Sequence, residues 1–224
     1  MSRSVIPAPD KRTRGQAAAA IQFFLAVFLL TACSAAPPLP EDVYYRLQLA
    51  PPAQRFDAPR VAGVVVVDRP NAASVYTSRD LAYSDSPPYL HLSHYHYHHW
   101  VDPPPQLLQQ ELADYLRSAN LAPSVTTEAG RAVPAWRISG IVRRFERQKS
   151  RSGWQVAVAL ELRAEPADRK QAPLLQQYEM VLAAPGDGIE DTVKAFSTAT
   201  GSLFDRFLAD LGKALPAEPV TARH

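Results

Sequence analysis

The 224-residue chain is 46% hydrophobic and 21% charged, with 24 Lys and Arg against 22 Asp and Glu, so it has the material for one packed domain and is not a disordered chain. Its single cysteine, Cys33, excludes an intramolecular disulfide, so the core alone must supply stability. Proline is frequent, at 21 residues, and gathers in short runs where a residue without an N–H does least harm, at the edges of elements.

The first 32 residues read as a targeting segment. Arg3, Lys11, Arg12 and Arg14 precede the uncharged apolar run "AAAAIQFFLAVFLLTA", which is shorter than the roughly 20 residues a spanning helix needs. The run ends in Leu30-Thr31-Ala32-Cys33, which resembles a bacterial lipobox, where the Cys thiol receives a diacylglyceryl group and becomes residue one after cleavage. Removing residues 1–32 leaves 20 basic side chains (24 less 4) against 21 acidic (22 less 1), so no excess of positive charge points to nucleic acid. Ser34 follows the Cys where an Asp would retain a lipoprotein at the inner membrane, so the expected place is the outer membrane, facing the periplasm. Residues 33–42, the lipidated Cys and "SAAPPLPED", form a Pro-rich tether whose nine residues after the Cys span about 30 Å at most.

From 43 to 214 the pattern is that of one domain. "VYYRLQL" (43–49) predicts a first strand, and the β-branched run "VAGVVVVD" (61–68) a strand buried on both faces. "SRDLAYS" and "PYLHLSHYHYHHW" flank "DSPP" and predict two strands joined by a turn. "DPPPQLLQQELADYLRSANL" predicts a helix with Asp102 as N-cap and Leu107, Leu108, Leu112, Tyr115 and Leu116 on its buried stripe. "WRISGIVRRFERQ" and "GWQVAVALELRAE" predict a hairpin around "KSRSG", in which the strict alternation from Trp154 to Leu162 buries one face. "PLLQQYEMVLAA" adds a strand, and the segment from Gly188 to about Leu215 an amphipathic helix buried through Ile189, Val193, Phe196, Leu203, Phe204, Phe207, Leu208 and Leu211. Residues 215–224 read as a flexible tail. This order of elements predicts an α+β fold, a mainly antiparallel sheet with two helices on it.

Two clusters are candidates for function. Five of the six histidines lie in "YLHLSHYHYHHW". On a regular strand His94, His96 and His98 share a face with Trp100, and adjacent members of that row are about 6.5 Å apart at Cα, close enough to share one metal ion. A closed site needs further ligands, and the sequence offers no HExxH and no free Cys. The alternatives are half-exposed structural positions, metal binding through His94, His96 and His98, and a pH-responsive surface. Arg143, Arg144, Arg147, Lys149 and Arg151 place five positive charges around the predicted hairpin tip, either as a contact for anionic headgroups or an acidic partner, or as a solvated tip that resists edge pairing. No GxSxG, P-loop or GxGxxG is present, and "APGDGIED" lacks calcium-loop spacing, so neither catalysis nor a cofactor is expected.

Taken in order, Cys33, "YYRL", the strand ending "VVDRP", "SRDLAYSDSP", the aromatic strand ending in Trp100 and "VDPPPQLLQQEL" resemble the ABC-type transport auxiliary lipoproteins over about residues 40–212. The resemblance implies a non-catalytic outer-membrane lipoprotein. Its partners would be an MCE-domain protein and an ABC permease and ATPase that move lipids or other hydrophobic molecules between membranes, and self-association into a homo-oligomer would suit ring-forming partners. It carries one residue over, Cys33, as the site of lipidation. Where the family pattern is closer to Tyr-x-x-Arg-Trp, this chain has His99 before Trp100. A structural envelope lipoprotein without a transport role is the remaining alternative.

Overall fold

The computed structural model describes residues 40–128, 130, 133–168 and 171–215, and from Glu41 onward these form one body around a continuous core. The targeting segment, Cys33, the tether up to residue 39 and the tail from residue 216 lie outside the described residues.

The framework is a long hairpin. Strand β7 (Trp136–Ser150) pairs antiparallel with β8 (Gly153–Pro166) along its whole length, and β8 pairs antiparallel with β9 (Leu174–Ala183). Along its other edge β7 meets three short strands in turn, each running parallel to it: β2 (Val64–Val67) at Trp136–Ile138, β3 (Asn71–Ala72) at Ile141–Val142 and β4 (Asp80–Ser84) at Arg147–Gln148. Beyond β2 lies β6 (Ser124–Thr126), and beyond β4 lie β5 (Ser93–Trp100) and then β1 (Val43–Tyr45). The result is a mixed nine-stranded sheet in which the long pairings are antiparallel, as expected, and the short ones on the divided edge are parallel.

Two helices cover one face, α1 (Pro104–Ser118) and α2 (Ile189–Ala214); α1 is buried through the stripe its sequence indicates, and α2 from Phe196 to Leu211, while Ile189 and Val193 in its first turns are only half-buried. Trp100, Phe145 and Phe196 form the centre, with ring centroids 4.5–5.3 Å apart. The apolar cavity left between the helices and the sheet is about 10 Å³, room for no more than a water molecule.

Several local expectations need correction. The first strand ends at Tyr45 and not at Leu49, because Leu47 turns into the core and the Gln48 N–H donates to Ser197 Oγ of α2 at 3.0 Å. The aromatic strand begins at Ser93 and not at Tyr89. Asp102 is not the cap of α1; the N-cap is Pro103, and Asp102 Oδ1 accepts from Gln106 Nε2 at 2.9 Å. The reason is chemical: Pro104 and Pro105 have no N–H to offer a cap, and the next donor, Gln106 N, bonds Pro103 O at 2.9 Å.

A bulge between Val142 and Arg144 decides which side chains of β7 face the helices. Before it, Ile138, Gly140 and Val142 oppose the buried residues of β8; after it, Phe145, Arg147 and Lys149 do. Glu146 and Gln148 thereby fall on the opposite face, where they are nonetheless buried. There Glu146 accepts from the Tyr76 hydroxyl and from Gln148 Nε2 (2.8 Å), and Gln148 accepts from Gln155 Nε2 (3.1 Å).

Candidate functional site

The histidine-rich strand does not alternate. Its register with β4 jumps between Asp80↔His99 and Ala82↔His94, so four residues, Tyr95–His98, stand opposite Leu81 alone. This bulge gives each histidine its own surroundings. His94 Nε2 lies 2.9 Å from Val75 O, His98 Nδ1 lies 3.1 Å from the Tyr45 hydroxyl, and His96 is exposed beside Tyr97. The shared face expected for His94, His96 and His98 is therefore absent. Among the described residues no group of three or more His, Cys, Asp or Glu side chains is placed to hold a metal ion.

Burial lowers the His98 pKa below its ordinary 6.5, with lesser contributions from His99 and Arg147. His99 sits between two carboxylates, its Nδ1 2.8 Å from Asp80 Oδ1 and its Nε2 3.5 Å from Asp42 Oδ1. His99 thus turns both ring nitrogens toward acidic side chains. That contact, with the pairing of β1 to His98–Trp100, holds the start of the described chain against β5.

The five cations of the hairpin do not form one patch. Arg143 Nη2 reaches Glu161 Oε2 and Arg144 Nη1 reaches Glu179 Oε1, each at 2.7 Å, on the face away from the helices. Arg147 lies on the helix-facing side and is only 3% exposed. Its guanidinium stacks 3.7 Å above the Trp154 ring and donates to the Tyr95 hydroxyl and to Asp187 O, both at 2.5 Å. Lys149 approaches Asp187 Oδ1 at 3.7 Å and the same Trp154 ring. Arg151 is exposed in the turn itself, so Lys149 and Arg151 are the two that mark the tip.

The sequence carried a signal for Arg147. Val142 and Phe145, both apolar and buried, are three apart and not two, and this spacing betrays the bulge that turns Arg147 inward. Tyr76, whose hydroxyl meets Glu146, had no such signal, since its partner lies 70 residues away.

Among the described residues no helix is long and apolar enough to cross a membrane. No curated protein matches the sequence. The crystal structure of protein XCC0632 from Xanthomonas campestris, of the family DUF330, is similar with a TM-score of 0.65 at 16% identity, covering 77% of this chain and 96% of that one. A second crystal structure, of an uncharacterized protein, gives a TM-score of 0.62 at 14% identity and covers 76% and 99%. At these identities the likeness is one of fold. The family model described as "ABC-type transport auxiliary lipoprotein component" matches residues 45–207, from β1 to the last turns of α2. The chain belongs to the family of ABC-type transport auxiliary lipoprotein components.

Proposed function

We propose that this protein is a non-catalytic accessory lipoprotein of an intermembrane transport system, held at the periplasmic face of the outer membrane by lipid on Cys33. There it docks an MCE-domain protein served by an ABC permease and ATPase that move lipids or other hydrophobic molecules. The observation that carries this reading is the family match over residues 45–207, joined to the lipobox and the short tether in the sequence. Of the hairpin cations, the exposed Arg143 and Arg151 and the half-buried Arg144 and Lys149 are available for contact with an acidic partner or with headgroups. Arg147 would support that surface from beneath through Trp154.

The test is co-purification of the lipidated protein, crosslinked in native membranes, with an MCE-domain protein of the same cell. Capture of that protein, lost with the Cys33→Ala variant because the domain no longer reaches its partner, is the expected result. No capture in membranes that contain both proteins overturns the docking reading. A deletion strain with unchanged permeability and lipid distribution would point instead to a structural envelope role.

A further inference from the structure

The direction of β1 shows at which end of the domain the described chain begins. Strand β4 runs toward the β7–β8 tip, pairing Tyr83 and Ser84 with Arg147 and Gln148, and β5 runs back from it. Because β1 is parallel to β5 and begins at Val43↔His98, the chain before Val43 points back toward the tip. Pairing with β1 stops there, so among the described residues nothing pairs with Ser93–Tyr97 on that side. The loop between β4 and β5 closes the same end, with the Tyr89 hydroxyl donating to Lys149 O at 3.3 Å and Leu90 beside it 80% exposed. Tyr97 in the bulge and Tyr44 on β1 are also exposed large apolar residues of this half.

We propose that this tether end, with Leu90 and Tyr97 as its contacts and Arg151 at its rim, lies against the phospholipid bilayer and so sets the orientation of the domain. The proposal rests on the lipoprotein reading above and adds to it a face and a direction. Three observations carry it. The first is reach: Asp42 lies against His99, and the eight residues 34–41 between it and Cys33 can span about 28 Å at most. Loop 85–92 lies next to the direction in which that tether leaves. Trp136, at the far end of β7, is nine residues of strand below the level of Phe145, on the order of 30 Å. The near end meets the membrane with slack; the far end would need every tether residue extended.

The second is the side-chain chemistry. A Leu standing free of its neighbours and tyrosines with an apolar body and a polar tip suit the headgroup region. The third is charge. The segments of this end carry Arg79, Lys149 and Arg151 against Glu41, Asp42, Asp80, Asp85 and Asp187, and Lys149 is already paired with Asp187. Cations do not outnumber acids, so the contact is apolar and insensitive to salt, unlike a polybasic headgroup site.

The full-length acylated protein permits a direct test, because its only cysteine thiol is consumed by the lipid and a second cysteine can be labelled uniquely. Leu90→Cys, Tyr97→Cys and, as control, Val133→Cys would each carry an environment-sensitive fluorophore in vesicles of phosphatidylethanolamine and phosphatidylglycerol. Val133 is as exposed as Leu90, at 84%, but lies just before Trp136 at the far end. The expected result is blue-shifted emission at 90 and 97 and several-fold slower reduction by dithionite than at 133, unchanged in high salt. Equal rates at all three positions in protein that floats with the vesicles overturn the proposal and leave the lipoprotein reading standing. Failure to float removes both. Protection that arises only on adding the MCE-domain protein makes this end a protein-docking surface and also overturns the proposal. All three positions are exposed, and matching thermal melts of the labelled variants confirm the fold.

Discussion

Tyr76→Phe removes one oxygen and leaves the ring in place. In the folded protein that oxygen donates to Glu146, a carboxylate only 4% exposed. Burial, the hydrogen bond and the Glu146 charge together raise the Tyr76 pKa above its ordinary 10, so the hydroxyl stays a donor throughout the physiological range. Without it the carboxylate keeps Gln148 Nε2 at 2.8 Å and a distant Arg144 Nε at 3.6 Å. A buried hydrogen bond to a charged group contributes about 1.5–3 kcal/mol, and no water reaches Glu146 freely, so the variant should lose about 2 kcal/mol. With a urea m-value of about 2 kcal/mol/M, the unfolding midpoint of the mature domain falls by about 1 M. A double-mutant cycle with Glu146→Gln should return a coupling energy above about 1 kcal/mol, since the two sites touch. A midpoint change of less than about 0.2 M, or a coupling near zero, would refute the claim that this contact holds the segment around Tyr76 onto β7.

Gly140→Ala should destabilise by about 2 kcal/mol or more in the same assay, because the new Cβ would stand 2.5 Å from Glu161 O and press β7 off β8. Arg147→Ala should cost about 3 kcal/mol through lost packing on Trp154, whereas Arg147→Met, which keeps the stem and removes the buried charge, should cost less than half of that; Trp154 fluorescence and chemical denaturation report both. His98 has a folded-state pKa below 6.5, so the unfolded chain binds more protons as the pH falls. Stability from this group is therefore complete above about pH 6.5 and is lost as the pH drops through the folded pKa; His98→Asn should flatten this part of the pH profile relative to the native protein.

The helices and the long hairpin were legible because their information is local. Leucines at helical spacing and the alternation of Val156, Val158 and Leu160 report burial without reference to the rest of the chain. What the sequence hid was long-range or irregular. The parallel pairings of β2, β3 and β4 join segments 64–71 residues apart and leave no periodic mark on either partner. The bulge in β5 breaks the period-two rule on which the histidine faces were reasoned, so a row that looked like a ligand set is dispersed among a carbonyl, a phenol and solvent. Arg147 illustrates both points: among like charges it looked like part of a surface tip, and a single extra residue in β7 placed it beneath the surface.

The three-residue strand β1 has a mechanical meaning. Tension on the chain before Val43 runs along the strand axis, so it loads the pairing with β5 and the Asp42–His99 contact together, in shear. Should they yield, the chain gains about 10 Å of slack from Val43–Tyr45 before the pull arrives at Leu47, which is wedged in the core, and at the Gln48–Ser197 bond to α2. A short strand at the point of attachment would therefore yield before the core contacts of Leu47 and the bond to α2 take any load.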